Sequence, residues 1–141
     1  MKPHESLGFE VAIMARLFER ELRGALRDLG VLPGQLPVLL ALYDRDARTQ
    51  AELARIVGVE QPTMAATLTR MEQAGLVRRS PDEEDARRAR VALTDRTHEI
   101  RRPLIDAARS VNRRAVRGLS ADDRSALYRV VERVSANLAG R

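Results

Sequence analysis

Residues 48–77 read RTQAELARIVGVEQPTMAATLTRMEQAGLV, and the fold turns on how this stretch is read. Thr49 and Glu52 stand three apart, the spacing of a capping box, in which two orphan N–H groups at a helix start are satisfied reciprocally. Leu53, Ile56 and Val57 give the helix its apolar side, and Ala54 is small enough to lie beneath a neighbouring helix. Gly58 suits its end, because glycine takes the left-handed conformation there without a steric penalty. After a short turn, Pro62 is expected at the first position of a second helix, where a missing N–H costs nothing. That helix runs to Ala74, with Gly75 as its cap. Two short helices around a tight, Gly-containing turn predict a helix-turn-helix.

On a wheel of ~100° per residue, Met64, Leu68 and Met71 of the second helix fall on one side, the core side. Pro62, Thr63, Ala66, Thr69, Arg70 and Gln73 fall opposite, with Thr67 on the flank. This outer face is small and polar and carries one cation, which suits entry into a major groove. Gln61 could pair with adenine, and the Thr63 methyl and Ala66 could pack on thymine methyls. Arg70 could reach a guanine or a phosphate. The alternative is an ordinary solvated helix, whose outer face would normally hold more Glu, Lys and Arg.

Immediately downstream, GLVRRS (75–80) and ARVAL (89–93) read as two short strands around a charged loop, PDEEDARR (81–88). Val91 and Leu93 point one way and Arg90 the other, the alternation of a half-buried strand. A hairpin with a basic loop directly after a helix-turn-helix makes a winged helix. Upstream, VLPGQLPVLLALYDRD (31–46) predicts a helix with Pro33 and Pro37 near its start and a buried face of Leu36, Leu39, Leu40 and Tyr43.

Long amphipathic helices flank this core. In the first, Leu7, Val11, Met14, Phe18, Leu22, Ala25 and Leu29 recur at steps of three and four, giving a rod of roughly 37 Å at 1.5 Å per residue. Thr94 is placed to cap another, with the stripe Ile100, Leu104, Ala108, Val111 and Ala115 and a kink expected at Pro103. Ser120 caps the last, whose stripe is Leu127, Val130, Val131, Val134 and Leu138. The predicted class is mostly α with a small β-wing: an N-terminal dimerisation helix (1–32), a winged helix DNA-binding core (33–94) and C-terminal dimerisation helices (95–141). So small a domain has little chain with which to bury such long stripes. A homodimer interface through Leu7, Val11, Met14, Val111, Leu127 and Val134 resolves this; a monomeric bundle that packs its own ends together is the alternative.

Composition narrows the partner. The chain has 141 residues and a net charge of +5, and of its 25 basic residues all but Lys2 are arginine. Guanidinium forks match phosphate oxygens and guanine edges, so an anionic partner is favoured. The four aromatic rings, Phe9, Phe18, Tyr43 and Tyr128, are too few and scattered to stack single-stranded bases, so a nucleic-acid partner would be duplex DNA. There is no cysteine, which excludes disulfides, thiolate metal sites and thiol switches. His4 and His98 stand apart from other ligating residues, so no metal site is expected. No glycine-rich phosphate loop and no serine with a paired base is present, so neither an enzyme nor a cofactor is expected. No apolar run approaches the ~20 residues that span a membrane, and MKPHESLGFE lacks a signal pattern.

At this point the chain resembles the MarR family of bacterial winged-helix regulators over nearly its whole length. LGVLPGQLPVLLAL (29–42) is similar to the helix leading into the family's core, and residues 49–94 are similar to that core through the wing. The most specific piece is the wing pattern D-x-R, here Asp85-Ala86-Arg87, followed by a strand ending Val91-Ala92-Leu93-Thr94. The resemblance implies a cytoplasmic, nucleoid-associated homodimer that represses transcription from pseudopalindromic sites and releases DNA on binding a small phenolic or anionic effector. It places Gln61, Pro62, Thr63, Thr67 and Arg70 at the major groove and Arg87 in the minor groove, with Asp85 orienting Arg87 and with Arg88 and Arg90 supplying attraction to the backbone. It also implies an effector pocket near Ile13, Leu17, Leu39, Tyr43 and Ile100. The chain departs from the family at Ala65-Ala66, where Thr-Arg is frequent, and at Thr97, where glycine is frequent. The reading from another class is a helical dimer that binds protein through its basic surface, its winged helix no longer reading DNA.

Overall fold

In the computed structural model, which describes residues 1–141, the capping box forms as the sequence predicts. The Glu52 N–H donates to Thr49 Oγ1 at 3.2 Å and the Thr49 N–H to Glu52 Oε2 at 3.4 Å. These bonds open helix α3 (Gln50–Val57), which ends at Gly58 with φ 77°. Helix α4 (Gln61–Gln73) follows, with Glu60 at its N-cap. Pro62 is therefore its second residue rather than its first, still within the turn that has no N–H partner to lose. The helix-turn-helix is thus in place.

Before it come α1 (Leu7–Leu26), a 3-10 turn (Arg27–Leu29) closed by Gly30 at φ 68°, and α2 (Leu36–Asp44). After it come strands β2 (Val77–Pro81) and β3 (Ala89–Leu93). A two-residue strand, β1 (Arg48–Thr49), completes a three-stranded antiparallel sheet in the order β1-β3-β2, with Arg48 opposite Val91 and Arg79 opposite Val91 on the other side. The sequence reading missed β1. A strand of two residues has no alternation to read, and its place is set by the Asp46 carboxylate, which accepts the N–H groups of Ala47 at 2.8 Å and Leu93 at 3.0 Å.

The core joins α2, α3, α4 and the sheet: Leu36, Val38, Leu39, Leu42, Leu53, Met64, Leu68, Met71, Leu76, Val77, Val91 and Leu93 are buried together. The inner face assigned to α4 is correct, since Met64, Leu68 and Met71 are all closed to solvent. Two apolar assignments change. Leu40 is exposed, while Val38, Ala41 and Leu42 of the same helix are buried. Pro37, Leu40 and Asp44 are exposed at steps of three and four, so α2 turns one face outward, but apolar residues on both faces hide that phase in the sequence. Ile56 is also exposed, unlike Leu53 on the same helix.

After β3, Thr94 Oγ1 accepts the Thr97 N–H and opens a helix of only five residues, α5 (Asp95–Glu99). α6 (Arg101–Ala115) follows after a break at Ile100. The single long helix expected from Thr94 is thus two. A proline ring collides with the carbonyl four residues earlier, and for Pro103 that residue is Glu99, where α5 ends. The kink expected at Pro103 is expressed one turn upstream.

The chain divides into two units, Met1–Ala108 and Arg109–Arg141. In the second, Gly118 turns the chain at φ 86° and a Ser120–Asp123 capping box opens α7 (Ala121–Leu138). Leu127, Val130, Val131 and Leu138 are exposed along α7, as Leu7, Val11, Met14 and Leu17 are along α1. Val111, assigned to a subunit interface, is instead already buried within the single chain, at 3 % exposure. No single helix is long and apolar enough to cross a membrane.

Burial separates two neighbours on α3 by energy. Leu53→Ala removes a closed side chain and is expected to cost ~2–5 kcal/mol. Ile56→Ala is expected to stay within about 0.5 kcal/mol. Urea unfolding of the two variants measures the contrast; equal losses would refute the assignment of faces.

Candidate nucleic-acid interface

The outer face of α4 is as polar as its sequence. Pro62, Thr63, Ala66, Thr69 and Arg70 are exposed and Thr67 is half-buried. The Thr67 and Thr69 hydroxyls donate to the carbonyls of Thr63 and Ala65, each at 3.0 Å. Pro62 has no N–H and lies where the helix needs none, so the first turn of α4 is open to an approaching partner.

Arg79 of β2 anchors the wing to α4. Its backbone N–H donates to Glu72 Oε2 at 3.0 Å, and its Nη2 reaches Glu72 Oε1 at 3.3 Å and Thr69 Oγ1 at 3.1 Å. The backbone N–H of Arg79, then its guanidinium, hold the Glu72 carboxyl below its usual range. Arg79 is therefore a strut between wing and helix.

The loop between β2 and β3 sorts its charges into two sets. Asp85 is partly covered, and its carboxylate accepts from Arg87 three times: from the backbone N–H at 3.1 Å, from Nε at 3.1 Å and from Nη2 at 3.3 Å. Arg88 Nε lies 3.7 Å from the same carboxylate. Even so, the Arg87 side chain is 91 % exposed. Hydrogen bonds from Arg87 hold the Asp85 carboxyl below its ordinary range, so the pair is charged and oriented. The loop is closed by the Asp82 N–H donating to the Arg88 carbonyl at 3.0 Å and the Arg88 N–H to that of Asp85 at 2.9 Å.

Asp82 does a different job. Its side chain is 3 % exposed and accepts from Arg90 Nε at 3.2 Å and Nη2 at 3.0 Å. Arg90 also donates from Nη1 to the Ala47 carbonyl. These bonds from Arg90 lower the Asp82 carboxyl, outweighing the opposing effect of burial. All three guanidinium nitrogens of Arg90 are thus engaged, tying the wing to the turn before β1. The structure places Arg90 as a strut of the hairpin, whereas Arg87 and Arg88 project from it.

A cleft of about 350 Å³ brings the two halves of the site together: Gln50 at the start of α3, Gln61 at the start of α4, and Arg87 and Arg88 of the wing. Gln50 Nε2 donates to Gln61 Oε1 at 3.5 Å. Gln50 was not among the residues singled out from sequence. The capping box marks where α3 starts, but only the turn between α3 and α4 brings that start beside Gln61.

The residues expected to line an effector pocket scatter in exposure. Ile13 and Ile100 are half-buried and Leu17 is exposed, while Leu39 is closed in the core. Tyr43 is buried, its hydroxyl donates to the Thr97 carbonyl at 2.6 Å, and Arg101 lies over its ring at 5.1 Å. Burial raises the Tyr43 hydroxyl above its usual value, against the lowering effect of Arg101. Leu39 and Tyr43 therefore already serve the interior of the single chain.

A helix-turn-helix with a strand-pair arm, its outer helix polar and its arm tipped by exposed arginines, defines a winged-helix protein. Residues 29–88 match the model of the MarR family. Solved structures agree in fold. A MarR transcriptional regulator from Methanosarcina mazei Go1 superposes with TM-score 0.86 at 22% identity, over 95% of this chain and 96% of that one. The PcaV regulator from Streptomyces coelicolor, solved in complex with its natural ligand, gives 0.84 at 21% identity, over 96% and 95%. Reduced AbfR, solved bound to DNA, gives 0.78 at 25% identity, over 94% and 91%. Residues 29–88 are thus similar to the MarR family, and the chain as a whole shares the winged-helix fold of these structures.

The lowered carboxyls make the wing acid-sensitive. A carboxyl with a depressed folded value stabilises the fold fully above the ordinary carboxylate range, near pH 4, and loses that contribution as pH falls through the folded value. Wing amides at Asp82, Arg87 and Arg88 are therefore expected to lose exchange protection below about pH 4 while the α4 amides keep theirs. Asp82→Asn should loosen the wing at neutral pH as well. Wing protection that is unchanged down to full protonation would contradict the assigned bonds.

Proposed function

We propose that this chain is a sequence-specific transcriptional regulator that binds a pseudopalindromic duplex site as a homodimer. Each subunit lays α4 in a major groove and puts Arg87 into the adjacent minor groove. One observation carries the reading: Arg87 is held by three bonds to Asp85 yet is 91 % exposed. An exposed ion pair contributes little to stability. Its use is to aim a guanidinium, as the negative potential of a narrow minor groove requires. Gln61, Pro62, Thr63, Ala66, Thr67 and Arg70 face the bases or their flanking phosphates, and Arg88 adds attraction to the backbone. Reduced AbfR, similar in fold, was solved bound to DNA, which supports DNA as the partner.

The dimer part of the proposal rests on Leu7, Val11 and Met14 of α1 and Leu127 of α7, all exposed in the single chain, and on Val134 of α7, which is half-buried. The regulatory part is repression relieved by a small phenolic or anionic effector; that PcaV, a regulator of the same fold, was solved with its natural ligand supports a ligand-binding role. No catalytic step is proposed.

Binding to random duplex DNA should weaken with salt at a log–log slope near −0.9 per phosphate neutralised; no binding at low salt would sink the proposal. Arg87→Ala should weaken binding and leave the dimer folded. Asp85→Ala should also impair binding, although it makes the protein more basic; tighter binding would show that the aspartate only repels DNA. At a selected site, Gln61→Ala or Arg70→Ala should each cost ~1–3 kcal/mol if the side chain reads a base. An equal loss on random DNA would assign that residue to phosphate.

A further inference from the structure

The exit of α4 leaves three consecutive carbonyls to be satisfied. The helix ends in a Schellman motif: Leu76 N–H donates to the Met71 carbonyl at 2.9 Å and Gly75 N–H to that of Glu72 at 3.0 Å, with Gly75 at φ 73°. The motif leaves the carbonyls of Ala74, Gly75 and Leu76 free for other donors. All three are taken from one four-residue stretch. Arg96 Nη1 donates to Ala74, Thr94 Oγ1 to Gly75 at 2.7 Å, and Thr97 Oγ1 to Leu76.

The same stretch grips two other elements. Arg96 Nη2 reaches the Leu29 carbonyl at 3.4 Å, at the turn that ends the N-terminal helical segment. One guanidinium thus lies against the carbonyl ends of two helical segments, where the partial charge is negative. The fit is close, for a Cβ added to Gly30 would stand 2.5 Å from Arg96 Nη2. Thr97 is fully buried, and its carbonyl accepts the Tyr43 hydroxyl from α2 at 2.6 Å. It stands where the family resemblance implied glycine, which has no hydroxyl to offer Leu76.

We infer that Arg96 and Thr97 are positioning residues, a joint at the start of α5 that sets the angle of the recognition helix α4 against α1 and α2. The inference rests on the proposed DNA-reading role only for its consequence. In a dimer built through the N-terminal helices, the angle of α4 to α1 sets the separation of the two recognition helices, and so the half-site spacing that is preferred. The joint itself is a property of the single chain.

The absence of cysteine makes a direct test available. Nitroxides on Arg20→Cys and Gln73→Cys report the α1–α4 distance by pulsed dipolar spectroscopy, with labelled protein diluted in unlabelled protein. The parent chain should give a narrow distribution. Arg96→Gln and Thr97→Val should broaden or shift it, and Thr97→Ser, which keeps the hydroxyl, should restore it. In unlabelled protein, the same two variants should lower the ratio of affinity for a selected site over random duplex by about tenfold, with a flatter preference across sites whose half-site spacing is changed by single base pairs. Unchanged distances in both variants would overturn the joint, as would an equal loss on selected and random DNA, which would make Arg96 a phosphate contact. If the parent chain binds no DNA at low salt, the regulator reading fails, and the distance distributions still decide the joint.

Discussion

A helix that must stop beside a strand leaves polar groups that the interior cannot hydrate. In this protein that constraint falls at Gly75, where α4 ends and β2 starts two residues later. The carbonyls there cannot be met by the helix, nor by the sheet, which begins only at Val77. Donors must come from elsewhere, and they come from residues 94–97, just past the far strand of the wing. The demand of one helix end thereby brings the end of the hairpin back to its beginning. It also fixes where α5 starts and gives the interface a rigid base. Burial of Met64, Leu68 and Met71 holds α4 in the core, but burial is non-directional; the carbonyl contacts give it an orientation.

The wing shows how a basic protein uses a dense cluster of acids. Asp82 and Asp85 lie three residues apart in the same loop, and both carboxyls are held ionised by arginines. Asp82 is turned inward and fastens Arg90 to the hairpin's base, whereas Asp85 sits near the tip and orients Arg87 outward. Glu72 fastens the other edge of the hairpin through Arg79. Of the five arginines from Arg78 to Arg90, Arg79 and Arg90 serve the frame and Arg87 and Arg88 face the cleft shared with Gln50 and Gln61. Sequence alone reads these residues as one mixed run of charge, because the sign of a side chain is visible and its direction is not.

Much of the architecture was legible because it rests on local rules. The capping box at Thr49, the N-cap at Ser120, terminators at Gly58 and Gly75, and the three-four spacing of α4 are each set by a few neighbouring residues, and each is present in the structure. Errors arose where the deciding partner is distant or the pattern hides its phase. Leu40 was read as buried because every residue around it is apolar. Val111 was read as an interface residue because its stripe continues that of α6, yet the single chain already covers it.

By itself, the sequence determined the helix-turn-helix and the hairpin after it, the inner and outer faces of α4 and the presence of an arginine-tipped arm, since these follow from spacing along one chain segment. Only the tertiary structure decided which charges face solvent, that Gln50 joins Gln61 and Arg87 in one cleft, and that residues 94–97 take the carbonyls of residues 74–76. The Gln50–Gln61 contact spans 11 residues and those of residues 94–97 span about twenty, and no periodicity encodes them. They depend on a donor and an acceptor meeting in three dimensions, which is settled only when the whole core has closed.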